Sequence, residues 1–136
     1  MNKQIHFMQA CGQSTTLVNF KQVELYMELI REEAVRELFP ALLAWLDEPL
    51  SKEKLIEVLD GLGDTLVVVH GLAYSLGLDP NVIKERIDES NLSKISVDGV
   101  IKRRSDGKIL KDMAVFKEPV LDDLAQIVIN RIGGMK

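Results

Sequence analysis

Apolar residues recur at helical spacing along much of the chain and predict a mainly α-helical protein. From about Phe20 they return every three or four residues, which places them on one face of a helix. The residues of this stripe are Val23, Tyr26, Met27, Ile30, Ala34, Leu38 and Ala41. Pro40 lacks an amide hydrogen and crowds the preceding turn, so we expect the helix to kink or break near residues 36–39.

Capping residues and glycines predict four further helices. Ser51 is a good N-cap for a long central helix, and Gly77 supplies its stop. Asp79 and Pro80 are a typical N-cap and first helical position for the helix that follows. The four predicted ranges are about 3–11, 52–76, 80–92 and 120–132.

The chain changes character after residue 91. Asp98-Gly99 and Asp106-Gly107 are dipeptides typical of tight turns. The apolar pairs Val100-Ile101 and Ile109-Leu110 flank the second turn. We therefore expect a short β-hairpin at this place.

Together these elements predict a single domain over residues 1–136 of the all-α class. The expected architecture is an antiparallel helix bundle with a short C-terminal β-hairpin. Beyond Asp64 the helix predicted over 52–76 is apolar around much of its circumference. Because such a helix is buried inside a bundle or against another subunit, we expect a homodimer or a homotetramer.

Composition and charge narrow the functional classes. The net charge of −4 argues against nucleic-acid binding. No stretch reaches the roughly 18 uninterrupted apolar residues that would predict a transmembrane helix. The N-terminal residues lack the apolar region of a signal peptide. Cys11 is the only cysteine, which suggests a reducing compartment, so we expect a cytoplasmic protein without a membrane partner.

Charge is unevenly distributed between the two parts of the chain. Residues 1–90 hold 8 Lys and Arg against 15 Asp and Glu, whereas residues 91–136 hold 9 against 6. An acidic helical body followed by a basic segment suits an anionic ligand that a divalent metal bridges to the body. It suits a solvated hairpin equally well.

Two clusters of acids lie on consecutive predicted helices. Asp60 and Asp64 share a helical face that becomes apolar further along. Glu32, Glu33 and Glu37 cluster on the preceding helix. Buried carboxylates need a partner or a metal, and Mg²⁺ and Mn²⁺ prefer oxygen ligands. For the glutamates, a solvated helix face is the alternative.

Gly61 and Gly63 fall within the helical pattern and do not form a phosphate-binding loop, because the Walker spacing is absent. Small residues at these positions permit the close approach of another helix. His70 projects away from the acids and is expected in the core or at an interface.

The order and spacing of several motifs resemble a known family over most of the chain. LIREEAVREL and EVLDGLGDTLVVVHGLAYSLGLD stand where that family has E-E-x-x-E on one helix and E-x-x-D on the next. FMQACGQ, ESNLSK and DGVIKRRSDGKILK are similar to other stretches of that family. The family is the MazG-like, all-α nucleoside triphosphate pyrophosphohydrolases, and in particular their phosphoribosyl-ATP pyrophosphohydrolase-like branch.

The chain departs from the family pattern at two positions. Arg36 and Gly61 stand where the pattern has glutamate. Either Glu37 takes the role of position 36 through a local shift, or one ligand is lost. Asp60 and Glu57, one and two turns before Asp64, are the candidate replacements for position 61.

The resemblance implies hydrolysis of a nucleoside triphosphate between the α- and β-phosphates, as part of nucleotide pool sanitation. It implies two Mg²⁺ ions, with Mn²⁺ as the alternative, held by Glu32, Glu33, Glu37, Asp60 and Asp64. Glu33, Glu37 and Asp64 form the expected catalytic set, with Glu33 as the candidate base. The expected substrate-binding residues are Asn91, Lys94, Arg103, Arg104 and Lys111.

Two other functions fit the same residues. One is hydrolysis of phosphoribosyl-ATP. The other belongs to a different class: a non-catalytic bundle that binds a nucleotide or a partner after the loss of ligands at positions 36 and 61.

Overall fold

A computed structural model describes residues 2–96 and 98–135 of the chain. Its described part is built from helices, which confirms the predicted all-α class. In chain order the elements are α1 (Lys3–Ala10), α2 (Phe20–Ile30), a π-helical segment π1 (Arg31–Leu38), α3 (Phe39–Asp47), α4 (Lys52–Ser75), α5 (Pro80–Leu92) and α6 (Asp122–Gly133).

Local capping explains where the helices begin and end. The side chain of Ser51 accepts a hydrogen bond from the amide of Lys54 (3.3 Å) at the start of α4. Asp79 caps α5 through the amide of Asn81 (2.8 Å). Gly77 follows α4 with a φ of +74°, a conformation that glycine adopts without steric cost. The predicted bounds of these two helices are confirmed to within one residue.

Of the predicted kink or break near residues 36–39, the break does not occur. Helices α2, π1 and α3 follow one another without a gap from residue 20 to residue 47. The irregular segment π1 ends two residues before Pro40. A wide π turn is one of the recognised ways in which a long helix accommodates a local irregularity without ending.

The α2–π1–α3 helix packs against α4 along a seam of small residues on α4. Gly71 lies against the ring of Tyr26, and Gly61 lies against the backbone of Leu38. Because Tyr26 precedes Leu38 while Gly71 follows Gly61, the two helices run antiparallel. This arrangement confirms the predicted bundle of antiparallel helices.

The buried core lies where α1 meets this helix pair. Met8, Tyr26, Val68 and Tyr74 form the cluster of buried apolar side chains. The side-chain amide of Gln4 on α1 donates to the backbone carbonyl of Val67 (2.6 Å). Helix α1 therefore covers the C-terminal half of α4.

Helix α6 is tied to the end of the bundle by two arginines. Arg86 forms two hydrogen bonds with the carboxylate of Asp123 (2.8 and 2.9 Å). Arg131 donates to the backbone carbonyl of Gly77. These contacts hold α6 beside the junction of α4 and α5.

The predicted β-hairpin is wrong in its strands, although its turn forms. Among the described residues 98–111 the only β feature is an isolated antiparallel bridge between Arg103 and Ile109. The amide of Arg104 donates to the carbonyl of Lys108 (2.7 Å) across the Asp106-Gly107 turn. All of these residues are exposed, and a two-stranded ribbon with no buried face is marginal in water.

One face of α4 stays open to solvent. Leu55, Leu59, Leu62, Leu66 and Val69 form an exposed row on this helix, spaced alternately by four and three residues. His70 is half-buried and lines an apolar groove of about 410 Å³ between α4 and α5. In the two described ranges, no helix combines the length and apolar character needed to cross a lipid bilayer.

A candidate metal centre between two helices

Three carboxylates from two helices converge at one point of the seam. Glu33 and Glu37 come from π1, and Asp64 comes from α4. One oxygen of each lies within 4.8 Å of an oxygen of the other two. Sequence positions far apart thus meet in a single acidic cluster, which we call the acid triad.

The close approach of the two helices brings the triad together. A Cβ atom at Gly61 would lie 3.3 Å from the Cα of Leu38, so this glycine lets the backbones come near each other. Asp64 is one turn further along α4, and Glu37 immediately precedes Leu38. Gly63 has no such neighbour within 4 Å, so the expected close approach holds for Gly61 alone.

Gly61 is therefore a packing position, and the site has little room for a glutamate there. Any side chain at position 61 would press on the backbone and side chain of Leu38. Gly61 serves the contact between α4 and π1.

Glu33 has an unusual electrostatic environment. Its burial, the adjacent carboxylate of Glu37 and the charges of Asp64 and Glu32 raise the pKa of Glu33 from 4.5 to about 7. Desolvation and like charges both disfavour an ionised carboxyl group. One oxygen of Glu33, Oε2, is buried without a hydrogen-bond partner in the described structure.

The triad fits a divalent cation by its chemistry. A buried carboxylate oxygen without a partner is unfavourable, and a bound cation would compensate for it. Oxygen ligands in one octahedral Mg²⁺ shell lie about 3 to 4.2 Å apart. The three carboxylate oxygens lie within 4.8 Å of one another, so the side chains would have to draw together to share an ion.

We expect cation affinity to depend on pH through Glu33. Because a cation displaces the proton of Glu33, Mn²⁺ affinity should increase roughly tenfold per pH unit below the pKa and level off above it. The pKa of Glu33 is about 7. Calorimetric titration with Mn²⁺ between pH 5.5 and 8 measures this dependence, and an affinity that does not change over this range contradicts the interpretation.

The same proton should affect the stability of the cation-free protein. The pKa of Glu33 is higher in the folded chain than its ordinary value of 4.5, so the folded state binds the extra proton. This stabilisation is fully present below pH 4.5 and is lost as the pH rises through about 7. Glu33→Gln should flatten the pH profile of the melting temperature.

The two other predicted ligands stand apart from the triad. Glu32 is exposed and acts on Glu33 through its charge. Asp60 is exposed one turn before Asp64. Neither contributes an oxygen to the group of three. The predicted set of five ligands is thus wider than the cluster that the fold assembles.

The predicted substrate-binding residues are engaged locally, within the part of the chain that follows α4. The ammonium of Lys94 donates to the side-chain carbonyl of Asn91 (2.8 Å). Arg104 pairs with Asp106 (2.6 Å), and Arg103 donates to a backbone carbonyl. Lys111 lies over the ring of Phe116, 4.4 Å from its centre. None of the described hydrogen bonds or ion pairs of these residues reaches the triad.

Sequence reasoning overlooked what the serines of the ESNLSK stretch do. The hydroxyl of Ser90 donates to the carbonyl of Lys117 (2.8 Å). The amide of Lys117 in turn donates to the hydroxyl of Ser93 (2.8 Å). Two serines three residues apart share one helix face, which is the signal that could have predicted their role. This part of the motif anchors the segment before α6.

Comparison with protein-family models and with curated proteins found no match for this chain.

Proposed function

We propose that the chain is a Mg²⁺-dependent nucleoside triphosphate pyrophosphohydrolase that releases a nucleoside monophosphate and pyrophosphate. The observation that carries this proposal is the acid triad, in which Glu33, Glu37 and Asp64 from two helices lie within 4.8 Å of one another. The motif order described above supports the same reaction. The proposed physiological role is the removal of unwanted (d)NTPs from the nucleotide pool.

The triad supplies ligands for the metal, with Mn²⁺ as a substitute for Mg²⁺. When bound, the cation lowers the pKa of a coordinated water and offsets charge on the phosphates. Asp64 and Glu37 bind and orient it from opposite helices. A cation at this place also relieves the repulsion among the three carboxylates.

Glu33 accepts the proton of the attacking water in this proposal. In this role one oxygen of Glu33 stays free of the cation and accepts the proton. The pKa of about 7 belongs to the cation-free protein, and a bound cation would lower it.

The residues proposed for substrate binding belong to the segment after α4. Lys94, Lys111, Arg103 and Arg104 would neutralise the leaving pyrophosphate, and Asn91 would contact the sugar or the base. The partners of Arg104 and Lys111 are exposed acids. Surface ion pairs of this kind contribute little to stability, so phosphates can replace these carboxylates without a large cost.

Pyrophosphate release from a panel of NTPs and dNTPs tests the proposal. With Mg²⁺ and purified protein, at least one nucleotide should yield its monophosphate and pyrophosphate in equal amounts. Reaction in ¹⁸O-labelled water should place the label in one of these two products. Orthophosphate as the product would indicate a different bond, and no product from any nucleotide would favour the non-catalytic binding bundle.

We also propose that the chain assembles as a homodimer or a homotetramer in the cytoplasm. Support for the assembly comes from the exposed row on α4, since contiguous apolar surface of this kind marks an interaction site. Its alternating spacing of four and three residues is the pattern of a helix-to-helix seam. Sedimentation equilibrium distinguishes these assemblies from a monomer.

A further inference from the structure

The wide turn in π1 has a direct bearing on the acid triad. Helix π1 spans Arg31–Leu38, and the amide that follows it, that of Phe39, bonds to the carbonyl of Ala34 five residues earlier. Ordinary α-helix precedes and follows it. A turn closed by i→i+5 bonds contains one more residue than an α-helical turn, which is closed by i→i+4 bonds.

The contacts on either side of π1 are consistent with a surplus in the α2–π1–α3 helix. Tyr26 and Leu38 are twelve positions apart, whereas the glycines that they contact, Gly71 and Gly61, are ten positions apart on α4. Because Gly71 meets the ring of Tyr26 and not its backbone, this difference of two does not count the surplus residues. The count of one comes from the i→i+5 bond between Phe39 and Ala34.

We infer that one residue between Glu33 and Glu37 is surplus to the helix, and that the wide turn which absorbs it places Glu37 in the acid triad. Arg36 is our candidate for the surplus position, since its side chain is exposed and lies in none of the ion pairs of the described residues. The statement about cation binding rests on the proposed function. The statement about helix register does not.

Removal of Arg36 should convert π1 into ordinary α-helix while the flanking contacts keep their places. Glu37 would then follow Glu33 by three residues, a spacing that keeps two side chains on one face of an α-helix. A single-residue deletion in the middle of a helix is normally disruptive, because every later side chain rotates away from its contacts. Here the deletion restores a regular register.

The experiment compares two single-residue deletions by thermal unfolding and Mn²⁺ calorimetry. One variant lacks Arg36. The control lacks Gly63, which is exposed, has open space around it and lies between the two contacts on α4. Since α4 is regular α-helix, removal of Gly63 should rotate Gly61 out of register with Gly71 and abolish cooperative unfolding.

The variant without Arg36 should unfold cooperatively at or above the wild-type temperature. It should bind Mn²⁺ within about threefold of the wild-type affinity. Glu37→Gln introduced into this variant should weaken Mn²⁺ binding by at least about tenfold, as it should in the wild type. This second substitution tests whether the carboxylate of Glu37 still binds the cation. A melting temperature alone does not test this.

The outcomes separate the two proposals. If loss of Arg36 is as disruptive as loss of Gly63, or leaves the fold intact but removes Mn²⁺ binding, the inference about register is overturned. If wild-type protein binds no Mn²⁺, the proposed function fails, and the comparison of melting temperatures still decides whether π1 holds a surplus residue.

Discussion

Asp64→Asn should lower the rate of pyrophosphate release by at least about a hundredfold, because it removes the only triad ligand that α4 provides. Asparagine keeps the size of the side chain and loses its charge. Mn²⁺ affinity should fall together with the rate. Steady-state kinetics at saturating nucleotide and calorimetric titration measure the two effects.

The fold of this variant should be preserved. Asp64 is exposed, and its charge contributes to the raised pKa of Glu33, so its removal relieves repulsion in the cation-free protein. The melting temperature of Asp64→Asn without metal should equal or exceed that of the wild type. Glu53→Gln, with the same loss of charge in the first turn of α4, is the matched control. Near-normal activity of Asp64→Asn would show that the triad is not the active site.

Gly71→Ala should destabilise the protein by about 3 kcal/mol, the upper part of the usual range for overpacking a core. The new Cβ would lie 2.0 Å from the ring carbon Cε1 of Tyr26. That ring is buried and its hydroxyl donates to Gln13 (2.6 Å), so it has no free direction in which to move. Thermal unfolding should show a melting temperature lower by roughly 10 °C.

A second glycine on the same helix provides the control. Gly63 is exposed and has no atom within 4 Å of its would-be Cβ. Gly63→Ala should stabilise the helix by about 0.5–1 kcal/mol, since alanine has the higher helix propensity. Combining Gly71→Ala with Tyr26→Ala should give less destabilisation than the sum of the two changes. Equal melting temperatures for Gly71→Ala and Gly63→Ala would refute the packing account.

Some elements were predictable from local chemistry, and others were not. The bounds of α4 and α5 follow from Ser51 and Asp79, whose side chains bond to amides two or three residues away. Pro40 obeys an equally local rule, yet the helix continues past it. The hairpin failed for a related reason. Its turn depends on Asp106-Gly107, whereas strands need a face to bury, and every residue from 98 to 111 is exposed.

In the candidate site, too, some features follow from local sequence and others depend on packing. Helical spacing and the motif resemblance were enough to single out five acids on two helices. They did not determine which acids would meet. Glu37 meets Asp64 where π1 packs against α4, and Asp60 lies outside the triad beside Gly61, the position that faces Leu38. Both facts depend on how two distant segments pack.

The sequence by itself determined the helical class, the caps and stops of the central helices and the acidic character of their shared face. These properties depend on residues within about one helical turn of each other. Only the tertiary structure decided the course of the chain through Pro40, the raised pKa of Glu33 and the membership of the triad. The triad, and part of the raised pKa of Glu33, depend on distances between residues about thirty positions apart in the chain, such as Glu33 and Asp64, and such distances exist only when the helices are packed.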